Sequence, residues 1–184
     1  MIQLSSLLFI MSLIFGYIGF TRGWNKEIIA TAGIILGLFA LFEFDGLLRQ
    51  TLLLTVPADQ VFYVQAFIFA VIVFFSYQTR ALIGAEARTA RGGGGDGRSD
   101  LQTKLLGGIV GFLNGYLVWG SLWYFMHISS YPLRPYITSP VAGTANAEFI
   151  NNLPLYVLAG GPAGDGNLLS AMMIGLFLIV LIVI

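Results

Sequence analysis

The sequence predicts an all-α integral membrane protein, a five-helix transmembrane bundle with no soluble domain, and three observations predict it. Of the 184 residues, 57% are hydrophobic and only 10% charged, with a mean hydropathy of +0.85, outside the balance of a soluble globular domain. Apolar stretches of roughly 17 to 24 residues recur, about the length a helix needs to cross ~30 Å of hydrocarbon. The basic residues between these stretches are distributed asymmetrically, as the positive-inside rule requires of a multi-pass chain.

The first apolar run, Leu4 to Phe20, lacks the basic leader and small-residue cleavage site of a secretory peptide and is long enough to span, so it reads as a retained helix. The short turn TRGWNKE joins it to a second span, Ile28 to Phe44, as an antiparallel hairpin. The next stretch, DGLLRQTLLLTVPADQ, is too apolar for a free loop and is interrupted by Pro57, which predicts an interfacial half-helix around Leu47 to Leu54. Val61 to Tyr77 forms a third span, Leu105 to Ile128 a fourth and Leu168 to Ile184 a fifth. Residues 1–128 are thus a four-span membrane domain with a flexible linker at about 84–103, and residues 129–167 form an extracytoplasmic loop. In that loop, Pro132, Pro135 and Pro140 prevent a continuous helix, and TANAEFINNL predicts a short one capped at Thr144. Tyr131, Tyr136, Phe149, Leu153 and Tyr156 make the segment too apolar for a free tail and should dock it on the membrane, the bundle or a partner.

Orientation follows from the charges. With the N-terminus outside, Arg22, Lys26, Arg80, Arg88, Arg91, Arg98 and Lys104 fall on the cytoplasmic side, leaving only Arg49 and Arg134 outside. The C-terminus is then cytoplasmic and the membrane is a bacterial inner membrane. A net charge of zero leaves no basic surface for nucleic acid. The absence of cysteine excludes structural disulfides, thiolate metal sites and iron–sulfur clusters held by the chain.

The stretch GGGGDGRS, Gly92 to Ser99, approaches a phosphate-binding loop except that Arg98 stands in place of lysine. Such a loop needs a buried strand before it and a helix after it, so that backbone N–H groups converge on the phosphates. Here a polar span exit precedes it and a membrane helix follows. Four consecutive glycines make a slack backbone rather than a preorganised nest. The stretch reads as a basic linker beside the anionic inner leaflet, with Ser99 or Asp100 capping the fourth helix.

Within the spans, Gly107, Gly111 and Gly115 recur at four-residue intervals on one face of the fourth helix, as Gly19 and Gly23 do at the end of the first and Gly33 and Gly37 in the second. Small residues at this spacing let helices approach closely in lipid, where packing rather than expulsion of water drives association. Asn114 interrupts the ridge of the fourth helix and should find an interhelical hydrogen bond, because an unsatisfied amide in hydrocarbon is expensive. Ser12, Thr31 and Gln65 are similar. The acidic residues nearest the spans, Glu27 and Glu43, lie at span ends, and no carboxylate pair, Ser/His/Asp set or His/Glu metal spacing is present, which argues against an enzyme. His127, beside Trp119, Trp123 and Tyr124, reads as part of an aromatic belt; the alternative is an axial ligand to a porphyrin or chlorin.

The hairpin FGYIGFTRGWNKEIIATAGIILGLFA, with Gly19, Arg22, Gly23, Glu27, Gly33 and Gly37, and the block LLGGIVGFLNGYLVWGSLWYF resemble the colicin V production protein (CvpA) family over roughly residues 1–160. The family often carries an aspartate near the start of its first helix, where this chain has Gln3 and Ser5, and a basic residue where it has Asn114. Its members are usually described with four spans, so the fifth here is additional. The resemblance implies an inner-membrane protein tied to bacteriocin production or envelope upkeep. Joined to the glycine ridges, it suggests a scaffold or accessory subunit that packs against other transmembrane helices and lipids. The candidate assemblies are respiratory or photosynthetic complexes with pigment or quinone contacts and no intrinsic cofactor. The competing expectation is a transporter or export component, which would need a water-lined route.

Overall fold

The computed structural model describes residues 3–51, 54–57, 60–78 and 97–183. Arg80, Arg88, Arg91 and Gly92 to Asp96, on which the linker and much of the charge count rest, lie outside them, as does the side chain of Arg98.

Helix α1 (Leu4–Arg22) and α2 (Trp24–Glu43) form the predicted hairpin. Gly23 alone separates them, at φ 83°, a left-handed conformation that a residue with a Cβ adopts only under strain. Gly23 is therefore the hinge of the hairpin rather than a second helical member of a pair with Gly19. A short α3 (Asp45–Thr51) follows where the interfacial half-helix was expected. Helix α4 (Val61–Gln78) matches the third span. Helix α5 (Gly97–Ile128) starts earlier than predicted: residues 97–103, assigned to the linker, are its first turns, so neither Ser99 nor Asp100 is the cap. Asp100 sits in the first turn, where the helix dipole favours an acid, and pairs with Lys104 at 2.7 Å.

Among the described residues, four helices are long and apolar enough to cross a membrane: α1, α2, α4 and the part of α5 from Asp100 to Ile128. The chain is a multi-pass membrane protein of helices. The fifth apolar helix, α8 (Asn167–Val183), is shorter than these four and packs along α2.

The bundle is built on the α1–α5 contact, the most extensive among the described residues. A Cβ on Gly111 would lie 2.9 Å from the Gly19 Cα, one on Gly107 2.8 Å from the Gly23 Cα, and one on Gly115 2.6 Å from the Ser12 Cα. Backbone meets backbone there. Gly33 and Gly37 instead face α4, a Cβ meeting Ser76 Cβ at 2.7 Å and Ile72 Cγ2 at 2.9 Å respectively. The core between the helices is apolar: Ile34, Ile35 and Leu38 of α2 and Phe69 of α4 are fully buried, Phe69 packing edge-on against Phe125 of α5.

The segment after α5 folds back over one end of the bundle. Helix α6 (Ala145–Phe149) is capped by Thr144, whose hydroxyl accepts from Ala147 N, and α7 (Pro154–Ala159) begins with Pro154 seated on Gly120 of α5. Tyr131 and Leu153 are buried by this docking and Phe149 and Tyr156 partly so, whereas Tyr136 stays 87% exposed. The same docking corrects the aromatic-belt expectation. Trp123 and Tyr124 point inward: Trp123 stacks on Phe149 at 5.8 Å, and Tyr124 meets Tyr156 edge-on.

Candidate functional site

Two polar places stand out in this apolar bundle. The first is a network joining α1, α2, α4 and α5 near the Gly23 hinge. Because the hinge is a single residue, α2 is already underway at Trp24 and Glu27 is its fourth residue. Its side chain shares the face that carries Ala30, Ile34, Leu38 and Leu41, all buried at three- and four-residue steps. Glu27 is consequently 0% exposed. A carboxylate there requires partners, and among the described residues it has three. Arg22, at the last turn of α1, donates from Nη1 to Glu27 Oε1 at 2.5 Å. Tyr77 Oη donates to Oε2 at 3.2 Å, and Asn114 Nδ2 donates to Oε2 at 2.9 Å.

The partners are themselves held. Asn114 Nδ2 also donates to the Glu27 carbonyl at 3.2 Å, and its Oδ1 lies 2.7 Å from Thr31 Oγ1, which is also 2.8 Å from the Glu27 carbonyl. Arg22 donates from Nη2 to the Tyr77 carbonyl at 3.2 Å, its guanidinium carbon 4.4 Å from the centre of the Tyr77 ring. The arginine is 12% exposed, and Thr31 and Tyr77 are likewise only partly buried, whereas Glu27 and Asn114 are fully enclosed. Chemically this is a charge-neutral, hydrogen-bonded pair, with both carboxylate oxygens satisfied.

Sequence reasoning placed Asn114 on an interhelical hydrogen bond, which it makes, and treated Glu27 as a span-end charge and Arg22 as a topology signal. Their meeting was missed. The available signal was phase: Glu27 is in register with Ile34, Leu38 and Leu41. Lys26, one residue away, lies off that face and is only partly buried. Among the described residues no group of three or more His, Asp or Glu side chains could hold a metal ion.

The second place is a cavity of about 660 Å³ at the opposite end of α2, under the folded-back segment. It is lined by Asp45 and Gly46 of α3, Gln65 of α4, Tyr124 and His127 of α5, and Tyr156 of α7, among others. Gln65 donates from Nε2 to Asp45 Oδ1 at 2.7 Å. His127 Nδ1 is 3.2 Å from Tyr131 Oη, which also accepts from Trp123 Nε1 at 3.2 Å. Burial pushes the Tyr131 hydroxyl above the usual phenol range, against the pull of the Trp123 hydrogen bond.

The polar network and the glycine contacts that frame it all lie within residues 4–152, and those residues match the family model described as colicin V production protein. The chain belongs to that family. The match ends just before α7, so α7 and α8 lie beyond it. No curated protein and no solved structure matches the chain.

Proposed function

We propose that this member of the colicin V production family is a non-enzymatic inner-membrane protein that serves as a scaffold or accessory subunit of a larger membrane assembly. The observation that carries this reading is the sealed middle of the bundle. From Glu27 to Leu41 along α2 is about 21 Å at ~1.5 Å per residue, and between them Ile34, Ile35 and Leu38, with Phe69 opposite, leave no exposed surface. A solute route from the outer cavity to the Arg22–Glu27 network would have to part this layer. The glycine ridge is occupied inside the chain by α1, so partners would meet the bundle through its larger outward side chains. Phe9 and Tyr17 of α1 and Phe67 and Phe75 of α4 are more than half exposed and suit lipid or neighbouring transmembrane helices. Respiratory and photosynthetic complexes, with their gap-filling helical subunits, are the candidate assemblies. Extraction in a mild detergent followed by native mass analysis tests the proposal: stoichiometric co-purifying subunits are expected, and a chain carrying only lipid would contradict it.

A second reading, an export component linked to bacteriocin production, is favoured by one observation. Glu27 is a carboxylate within the apolar bundle, and such groups often mark ion or proton pathways. Flux measured on the purified chain in liposomes separates the two readings.

We further propose that the N-terminus faces outward and the α4–α5 connection faces the cytoplasm, on the strength of the charge count. The chain has no cysteine, so single cysteines can report it. Tyr136→Cys should react with a membrane-impermeant maleimide on intact spheroplasts, and Leu101→Cys only after permeabilisation; the reverse pattern would invert the assignment.

A further inference from the structure

The cavity under the folded-back segment is not absorbed by the scaffold reading, and two of its polar groups have a definite polarity. Gln65 reaches it from α4 and is 2% exposed. Its Nε2 donates to Asp45 Oδ1 at 2.7 Å. A carboxylate oxygen accepts, so this bond fixes which end of the amide is the nitrogen and leaves Oε1 on the other side. Oε1 is buried without a hydrogen-bond partner, an acceptor whose desolvation nothing among the described residues offsets.

The second group is the His127 ring, and a chain of hydrogen bonds sets its tautomer. Trp123 Nε1 can only donate, so Tyr131 Oη accepts from it at 3.2 Å. The Tyr131 proton is then left for His127 Nδ1, also at 3.2 Å. With Nδ1 accepting, the proton of the neutral ring sits on Nε2, which has no partner among the described residues. His127 lines the cavity and Tyr131 does not, so the ring meets the space with an edge other than the one Tyr131 holds. The walls around these two groups are largely aromatic, with Phe42, Phe125 and Tyr156 among them.

An uncommitted acceptor and an uncommitted donor at one cavity select the ligand by functional group. An ammonium could satisfy Gln65 but not His127, and a carboxylate could satisfy His127 but not Gln65. A hydroxyl does both, donating to the one and accepting from the other. We propose that the cavity binds the hydroxyls of an uncharged sugar ring. Such a ring also has an apolar C–H face that packs on aromatic walls. The volume of about 660 Å³ lies within the ~300–1,000 Å³ of small-molecule sites. Sugar hydroxyls have two sources at a membrane surface: a glycolipid headgroup, or a free sugar from the aqueous side.

The full-length chain in nanodiscs, free of glycoside detergent, tests the site. Glucosyldiacylglycerol and diacylglycerol with the same acyl chains are the lipid probes, read by native mass analysis, and methyl glucoside is the soluble probe, read by thermal unfolding. If the headgroup is the source, glucosyldiacylglycerol is retained over diacylglycerol and millimolar methyl glucoside does not displace it. If a free sugar is the source, the two lipids are retained equally and methyl glucoside raises the unfolding temperature to a plateau, which exclusion of an osmolyte from the surface would not do. In either case His127→Phe, which keeps an aromatic ring but no N–H, should weaken binding about tenfold, the loss of one hydrogen bond of ~1.4 kcal/mol. Gln65→Met, on a different helix, should do the same through the other group. The wild-type comparisons stand whether or not the variants fold. Equal lipid retention with no saturable stabilisation by methyl glucoside overturns the proposal. So does sugar binding that both variants leave at wild-type strength while unfolding at the wild-type temperature.

Discussion

Glu27 and Asn114 occupy positions where neither could be solvated, and each removes the other's penalty. The carboxylate accepts from Arg22, Tyr77 and Asn114 at once. Deleting it strands an arginine and a buried amide in an apolar bundle. Glu27→Ala should therefore destabilise the protein by about 3–5 kcal/mol, the usual result of breaking a buried pair from one side. Asn114→Leu removes hydrogen bonds but no charge and should lose ~1–3 kcal/mol. Equilibrium unfolding in detergent checks both, and a Glu27→Ala variant as stable as wild type would show the network to be incidental. At this scale the sequence was only partly legible. Asn114 announced itself as a lone amide in an apolar helix, whereas Glu27 looked like an ordinary span-end charge. What changed its meaning was a one-residue hinge, which starts α2 before Glu27 and turns that residue onto the buried face.

Helix α5 meets α1 through glycine, and the consequences differ from one glycine to another in a way that tests the packing. Gly111→Ile places its side chain against the Gly19 backbone, which cannot rotate away. A loss of at least ~1–3 kcal/mol follows from such overpacking. Gly175, in α8, has open space where a Cβ would point, with nothing within 4 Å, so Gly175→Ala should be neutral or gain ~0.5–1 kcal/mol from helix propensity. Thermal melts of the two variants should move in opposite directions or leave Gly175→Ala unmoved; equal losses would contradict the assignment of α5 to α1. Span positions were legible here because hydropathy and length set them directly, and the Thr144 cap because its chemistry is local. The inward turn of Trp123 and Tyr124 was not, because it depends on α7 docking through Pro154 on Gly120, a contact between residues 34 positions apart in the sequence.

At the scale of the whole bundle, a polar network at one end and an aromatic-lined cavity holding the Asp45–Gln65 pair at the other are separated by a layer of fully buried aliphatic and aromatic side chains. The family match extends over the network and the glycine contacts and stops short of α7 and α8. Hydropathy alone could identify the membrane class but could not reveal the sealed layer, since pores and packed cores use similar apolar residues and differ in how the helices meet. With that layer closed, the proposed scaffold role has the Arg22–Glu27 network fasten the bundle rather than pass protons through it. The decisive measurement is proton entry into liposomes carrying the purified chain, driven by an imposed membrane potential and followed with an internal pH dye. Entry indistinguishable from protein-free liposomes is predicted for the wild type and for Glu27→Gln alike; faster entry in the wild type that Glu27→Gln abolishes would show the network to be a proton path instead.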